Sequence, residues 1–236
     1  MRIKYFMMFL AMLLFQTQLM QIKPVCIKLA DIFSRIEKGT IEKKLASRKL
    51  DSLFSQIPGN FFSKRDSILV FPLRHYSINA IGGIKGNGYI FKGYQFLDGN
   101  KHLVHPADDI FIQDRNQDNL DDRTQKPVDV LSVLDGIVIA EQKDWEKSSD
   151  LRGGKYIWIY HPQFHLISYY AHNQKLMVEI GDQVKKGDKI AEVGRTGFNA
   201  YKKRSPTHLH FSLFKLEKGI PVPINPYPYL IKSIKR

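Results

Sequence analysis

Thr207-His208-Leu209-His210-Phe211-Ser212-Leu213-Phe214 alternates strictly: Leu209, Phe211 and Leu213 take one face, and His208, His210 and Ser212 take the other. A side-chain period of two is that of a β-strand with one face on a core. Histidines two residues apart on such a strand point the same way, so their imidazoles reach one small site; adjacent histidines could not do this. Histidine titrates nearest neutral pH and is the commonest metal ligand. Alone, the pair could equally be two exposed side chains on an edge strand. The stretches around it weigh against that reading.

From Ile68 onward, short apolar runs alternate with glycine. Ile68–Leu73 leads to Ile81-Gly82-Gly83, Gly86-Asn87-Gly88-Tyr89 and a turn at Asp98-Gly99-Asn100. Val130–Ile139 is divided by Asp135-Gly136; Tyr156–Tyr160 and Leu166–Ala171 follow, and Gly181-Asp182, Gly187-Asp188 and Gly194 punctuate the rest. Regular strands with Gly/Asp turns predict a mainly β domain, an all-β sandwich or barrel, over residues 67–230. Pro221, Pro223, Pro226 and Pro228 predict an extended, non-helical tail.

Residues 23–66 read differently. Leu29, Ile32, Phe33 and Ile36 recur at helical spacing, with Ile41 and Leu45 continuing them and many Lys and Arg on the other side. This predicts a short helical N-terminal segment or linker with a solvated basic face. Residues 1–22 open with Met1-Arg2-Ile3-Lys4 and an apolar run from Tyr5 to Phe15, the shape of a signal sequence and short for a membrane span. No small-x-small cleavage site follows, so an uncleaved anchor stands as the alternative. Cys26 follows Lys23-Pro24-Val25, which lacks the small residues expected before a lipidated cysteine, and is expected to be structural. With one cysteine there is no intrachain disulfide, and the fold rests on its core.

At 236 residues the chain suffices for one well-buried domain and a smaller N-terminal region. The net charge of +13 suggests an anionic environment. Its cations are scattered, with clusters near Lys43–Lys49, Lys202–Arg204 and Lys232–Arg236, and no helix-turn-helix or RNA-type aromatic–glycine motif accompanies them. Nucleic acid is therefore not expected; anionic cell-envelope polymers suit the charge better.

Two further stretches carry chemistry. His105-Pro106-Ala107-Asp108-Asp109 sets a histidine four residues before a carboxylate, and Tyr169-Tyr170-Ala171-His172 ends an apolar strand with a histidine. Together with His208 and His210 this makes four histidines and an acid in three separated places. A zinc-hydrolase site takes three protein ligands and leaves a fourth position for water. Two imidazoles and one carboxylate satisfy that and leave two histidines for proton work.

The ordered set His105-x-x-x-Asp109, Tyr170-Ala171-His172, Gly181-Asp182-Gln183-Val184-Lys185-Lys186-Gly187-Asp188, Gly194-Arg195-Thr196-Gly197 and His208-Leu209-His210-Phe211 resembles the lysostaphin/LytM-type zinc metallopeptidases over roughly residues 68–228. That resemblance implies an antiparallel β-sandwich-like fold (a duplicated hybrid motif) with one zinc in a groove across a sheet. It implies an endopeptidase that cuts bacterial peptidoglycan cross-links, acts in the periplasm, cell envelope or outside the cell, and works as a monomer. It assigns the metal to His105, Asp109 and His210, and the catalytic pair to His172 and His208. His208, beside a ligand, is the expected general base and His172 the oxyanion partner or shuttle. The family commonly has glycine where this chain has Ala107, and Asp108 adds an adjacent rival to Asp109. Tyr76 and Tyr89 are candidates for the groove wall. A non-catalytic envelope module of the same fold, binding or regulating a hydrolase, is the second reading; such members usually lose ligands. A biotinyl or lipoyl carrier domain, suggested by the Gly181–Gly194 run, is set aside because no Met-Lys pair exists.

The remaining signals are weaker. Asp114, Asn116 and Asp118 begin like a calcium loop, but Asn119 stands where glycine is wanted and Gln125 where a bidentate Glu is wanted; a solvated Asx-rich turn is the competing reading. His102 rivals His105 and is expected to be a loop residue. His161 and His165, flanking Pro162, and His75 are expected to be exposed turn histidines. Trp158 and Phe211 are expected in the core by strand alternation, and Trp145, in a charged loop, is a candidate ligand contact.

Overall fold

A computed structural model describes residues 21–59, 62, 67–101 and 104–236. The leader expected over residues 1–22 falls almost wholly outside these, as does His102. Helix α1 (21–37) and helix α2 (Lys43–Phe54) precede nine strands: β1 Asp108–Phe111, β2 Asp129–Leu131, β3 Gly136–Gln142, β4 Lys155–His161, β5 Leu166–Leu176, β6 Gln183–Val184, β7 Lys189–Val193, β8 His208–Glu217 and β9 Ile220–Ile224. The order across the sheet is β1-β8-β5-β4-β3-β6; β9 extends β8, and β7 bridges β5 to β2. Every strand pair is antiparallel. The mainly β antiparallel fold expected from the sequence is the one observed.

Strand alternation divides the apolar residues between two cores. On one face Leu209, Phe211 and Leu213 of β8 join Tyr170, Ile157, Ile159 and Val138, closed by β2, β7 and the segment 69–73. On the other face Phe214, Ile167, Tyr160, Ile137 and Ile139 are covered by α1 and α2 through Leu29, Ile32, Phe33, Leu50 and Phe54. The helical spacing of 29–54 thus marks a face packed on the sheet, while Lys28, Lys44 and Lys49 stay exposed. Ile41 does not continue the first helix. The chain turns over residues 38–42, with Gly39 at φ +65° and the Glu42 carboxylate capping the amides of Lys44 and Leu45. Cys26 is buried, and burial pushes its thiol up to about 12, as suits a structural residue.

The tail is extended only as far as β9. Tyr227–Leu230 then forms a helical turn, α3, because proline is tolerated in a first turn where no amide is needed.

Candidate active site

Register brings the site together. Asp109 on β1 lies opposite His210 on β8, and Phe111 opposite His208; Ala171 on β5 lies opposite His210 from the other side. His105, bridged to Ile90, sits just before β1. Alternation settles the choice between adjacent acids: Asp109 points to the histidine face and Asp108 to the core face, where it is buried with both carboxylate oxygens unpartnered. Burial pushes the Asp108 carboxyl up to about 6.

The donor atoms converge closely. His105 Nε2 lies 3.1 Å from Asp109 Oδ1 and 3.1 Å from His210 Nδ1, and His210 Nδ1 lies 3.3 Å from the same oxygen. A tetrahedral ion with bonds of roughly 2.0–2.1 Å sets its ligand atoms about 3.3–3.4 Å apart, so these spacings fit zinc. The tautomers fit as well. His105 Nδ1 donates to the Gly88 carbonyl at 3.1 Å, which leaves a lone pair on Nε2 facing His210 Nδ1. Two imidazole nitrogens so placed need a proton or a cation between them. Among the described residues, His105, Asp109 and His210 are the group of three whose ligand atoms all lie within 4.8 Å of one another and could hold a metal ion.

His172 and His208 flank this group, their rings 4.9 Å apart. Each has its Nδ1 proton fixed by a backbone carbonyl, Thr196 at 2.8 Å for His172 and Pro206 at 2.7 Å for His208. Each therefore presents Nε2 as a proton acceptor; that of His208 is 3.7 Å from Asp109 Oδ1. Burial, then the neighbouring His208 and His210, hold His172 well below the usual histidine range. Burial also lowers His210, with Asp109 opposing. At His105 burial works against charge, but the hydrogen bond and charge of Asp109 outweigh it and the net shift is upward. Burial likewise opposes ionisation of Asp109, and hydrogen bonds from His105 and His210 overcome it, holding that carboxyl well below its ordinary value.

Local backbone is shaped for these rings. His172 adopts φ +68° and donates its amide to Gly153. Gly197, at φ +111°, leaves no room for a side chain: a Cβ there would lie 2.4 Å from the Arg152 carbonyl and 2.8 Å from His172 Nδ1. Arg195 staples the loop before β8 by donating to the carbonyls of Ser205 and Lys202 and to Thr207 Oγ1, which donates to Asp114 Oδ2 at 2.6 Å. That clamp holds the approach to His208. No local pattern signals this role of Arg195, since its partners lie seven to twelve residues on and two of them are backbone carbonyls.

Several expectations change. Asp114 accepts the amides of Asp118 and Asn119, and Asn116 donates to Asp118, so the acidic loop is closed by Asx turns. His161, expected to be exposed, is fully buried, with both ring nitrogens engaged, Nδ1 with the Asp135 carbonyl and Nε2 with Ser168; His75 and His165 are exposed as expected. Tyr76 is engaged with Asp121 and the Gln113 amide, and neither it nor Tyr89 lines the groove. Phe211 is core, but Trp158 is half-buried on the groove floor, and Trp145 packs on Tyr201 outside the groove.

Comparison with known proteins covers part of this site, with His105 and Asp109 outside the matched segment. Residues 117–226, a little under half of the chain and including His172, His208 and His210, match peptidase family M23. A lipoprotein NlpD/LppB homolog of Pseudomonas aeruginosa is 40% identical over 83 residues, 35% of this chain and 24% of its own length. An uncharacterized metalloprotease of Buchnera aphidicola is 33% identical over 91 residues, 39% of this chain and 21% of its own. The chain thus spans about a fifth to a quarter of these relatives. The crystal structure of a LytM protein from Ruminococcus gnavus, provisionally described as a glycyl-glycine endopeptidase, superposes with a TM-score of 0.51 at 25% identity, covering 78% of this chain and 67% of that one. Over residues 117–226 this chain is thus similar to peptidase family M23, and its fold is that of the LytM structure.

Proposed function

We propose that the protein is a zinc-dependent endopeptidase acting outside the cytoplasm on peptide bonds of bacterial peptidoglycan cross-links. The observation that carries this reading is the convergence of His105 Nε2, Asp109 Oδ1 and His210 Nδ1 at 3.1–3.3 Å, with two spare imidazole acceptors beside them. Such a donor set suits zinc with hydrolytic chemistry. When bound there, zinc supplies Lewis acidity for polarising a carbonyl and activating water.

The remaining work falls to this chain's own side chains. His208 takes the proton of the attacking water at Nε2, and the imidazolium so formed faces Asp109 at 3.7 Å. His172, kept neutral by burial, offers a second acceptor at Nε2 and serves as a shuttle toward the leaving amine. A role for neutral His172 as oxyanion donor is disfavoured, because its Nδ1 proton is committed to Thr196. The net charge of +13 supports an anionic envelope as the working environment, and no helix among the described residues is long and apolar enough to cross a membrane. A non-catalytic binding module would have no need of all five side chains, which favours the enzyme.

The test is the zinc content of the purified full chain beside His210→Ala and Asp109→Ala, with digestion of purified wall peptides. About one zinc per chain, absent from both variants, and cleavage products from the unaltered protein alone are expected. An unaltered protein that takes up no zinc after reloading sinks the peptidase reading.

A further inference from the structure

The sheet face that bears the histidines is closed by α1 and α2 over most of its width: Ile137, Ile139, Tyr160 and Ile167 beneath them are at most 2% exposed. The cover ends at Ile36 and Glu37. Beyond it lies a cavity of about 310 Å³ that reaches the metal candidates. Its floor is aromatic. Tyr169 stands edge-on to His210 with ring centroids 5.9 Å apart, and Trp158 lies 4.3 Å from Tyr169. Phe33 of α1 and Phe96 stand perpendicular to Trp158 at 5.2 and 5.8 Å and form the far wall.

Two features separate this cavity from ordinary core. Trp158 and Tyr169 are only half-buried, although the same face is sealed one strand position away. The cavity also opens directly beside the two proton-accepting histidines, so a chain lying across the metal candidates must pass it. The whole space, that over the metal candidates included, is at the small end of ligand pockets, about 300–1,000 Å³, so its aromatic end has room for one side chain at most. Edge and face positions on Trp158, Phe33 and Tyr169 favour an aromatic occupant.

We propose that this cavity is a specificity subsite for a bulky apolar side chain, aromatic above all, next to the bond to be cut. The preferred substrates are then polypeptides carrying such a residue, beyond the glycine- or alanine-flanked bonds of wall cross-links. The substrate part of this proposal rests on the endopeptidase reading; the binding part does not.

The experiment uses the full chain with Trp145→Phe, which leaves Trp158 as the sole tryptophan. Its emission is followed while N-acetyl-phenylalaninamide or N-acetyl-glycinamide is added, and peptides differing only in that residue are digested in parallel. Saturable change with the aromatic amide at least about tenfold tighter than with the glycine one is expected, as is a kcat/KM preference of similar size. The binding preference should persist in EDTA-treated protein and shrink at least fivefold in Phe33→Ala with zinc content unchanged. Equal response to both amides, or none, overturns the subsite. Cleavage without preference overturns it as well and leaves the peptidase standing; selective binding without cleavage of any peptide supports the subsite and sinks the peptidase.

Discussion

Replacing Asp109 by Asn tests the metal site at its hinge. The side chain keeps its volume and one carbonyl oxygen but loses its charge, and Asp109 Oδ1 is the atom that His105, His210 and His208 all face, at 3.1, 3.3 and 3.7 Å. Loss of a partner one shell further out typically costs 10–100-fold in metal affinity; loss of a ligand charge should cost at least about 100-fold, or roughly 2.7 kcal/mol. At zinc concentrations near 100 times the unaltered Kd, binding stabilises the unaltered fold by about 2.7 kcal/mol, and the variant, now near its own Kd, by about 0.4 kcal/mol. A chain of this length shifts its Tm by roughly 2–4 °C per kcal/mol, so zinc should raise the Tm by about 5–11 °C in the unaltered protein and by about 1 °C in Asp109→Asn. Thermal melts in EDTA and in buffered zinc measure this directly. Asp108→Asn is the control, since that side chain points into the opposite core, and its zinc response should stay within about twofold. Equal zinc responses in Asp109→Asn and the unaltered protein, or a larger loss in Asp108→Asn, would refute the assignment.

Other outcomes follow from the same geometry. Asp108 has a folded pKa raised to about 6, so its contribution is most favourable below about pH 4 and is lost as pH rises to 6; Asp108→Leu should stabilise the EDTA-treated protein at pH 7 by up to about 3 kcal/mol, read from denaturant midpoints. His161 has a folded pKa lowered to about 4, chiefly by burial, so neutral His161 is stabilising above about pH 6.5 and that contribution of about 3 kcal/mol disappears as pH falls to 4. His161→Gln should flatten the Tm profile of EDTA-treated protein over that window, and a profile parallel to the unaltered one would contradict the buried-imidazole account. His172→Ala should keep its zinc, measured by atomic absorption, while kcat on wall peptides falls at least about 100-fold; a loss of zinc in this variant would make His172 a ligand.

Much of this was legible because strand alternation is a strong local rule. The period of two at Leu209, Phe211 and Leu213 fixed which side His208 and His210 share, and the same rule separates Asp109 from Asp108 once β1 is in register with β8. The tautomers were not legible, since the carbonyls of Gly88, Thr196 and Pro206 that set them come from loops whose backbone direction no side-chain pattern encodes. His161 misled for a related reason. Next to Pro162 it reads as a turn residue, yet it is the last residue of β4, and its two partners, Asp135 and Ser168, lie on separate segments.

The groove's far wall was the hardest part to foresee. Phe33 and Ile36 read as the apolar stripe of an amphipathic helix, and Trp158 as an alternating core residue; both readings are true of most of their surroundings. What they cannot convey is where the cover stops. That is decided by the turn at residues 38–42, which ends α1 at Glu37 with its carboxylate accepting the Tyr156 hydroxyl at 2.9 Å. The cavity beside the histidines thus opens where α1 ends, and the hydrogen-bonded pair Glu37 and Tyr156 lines it there.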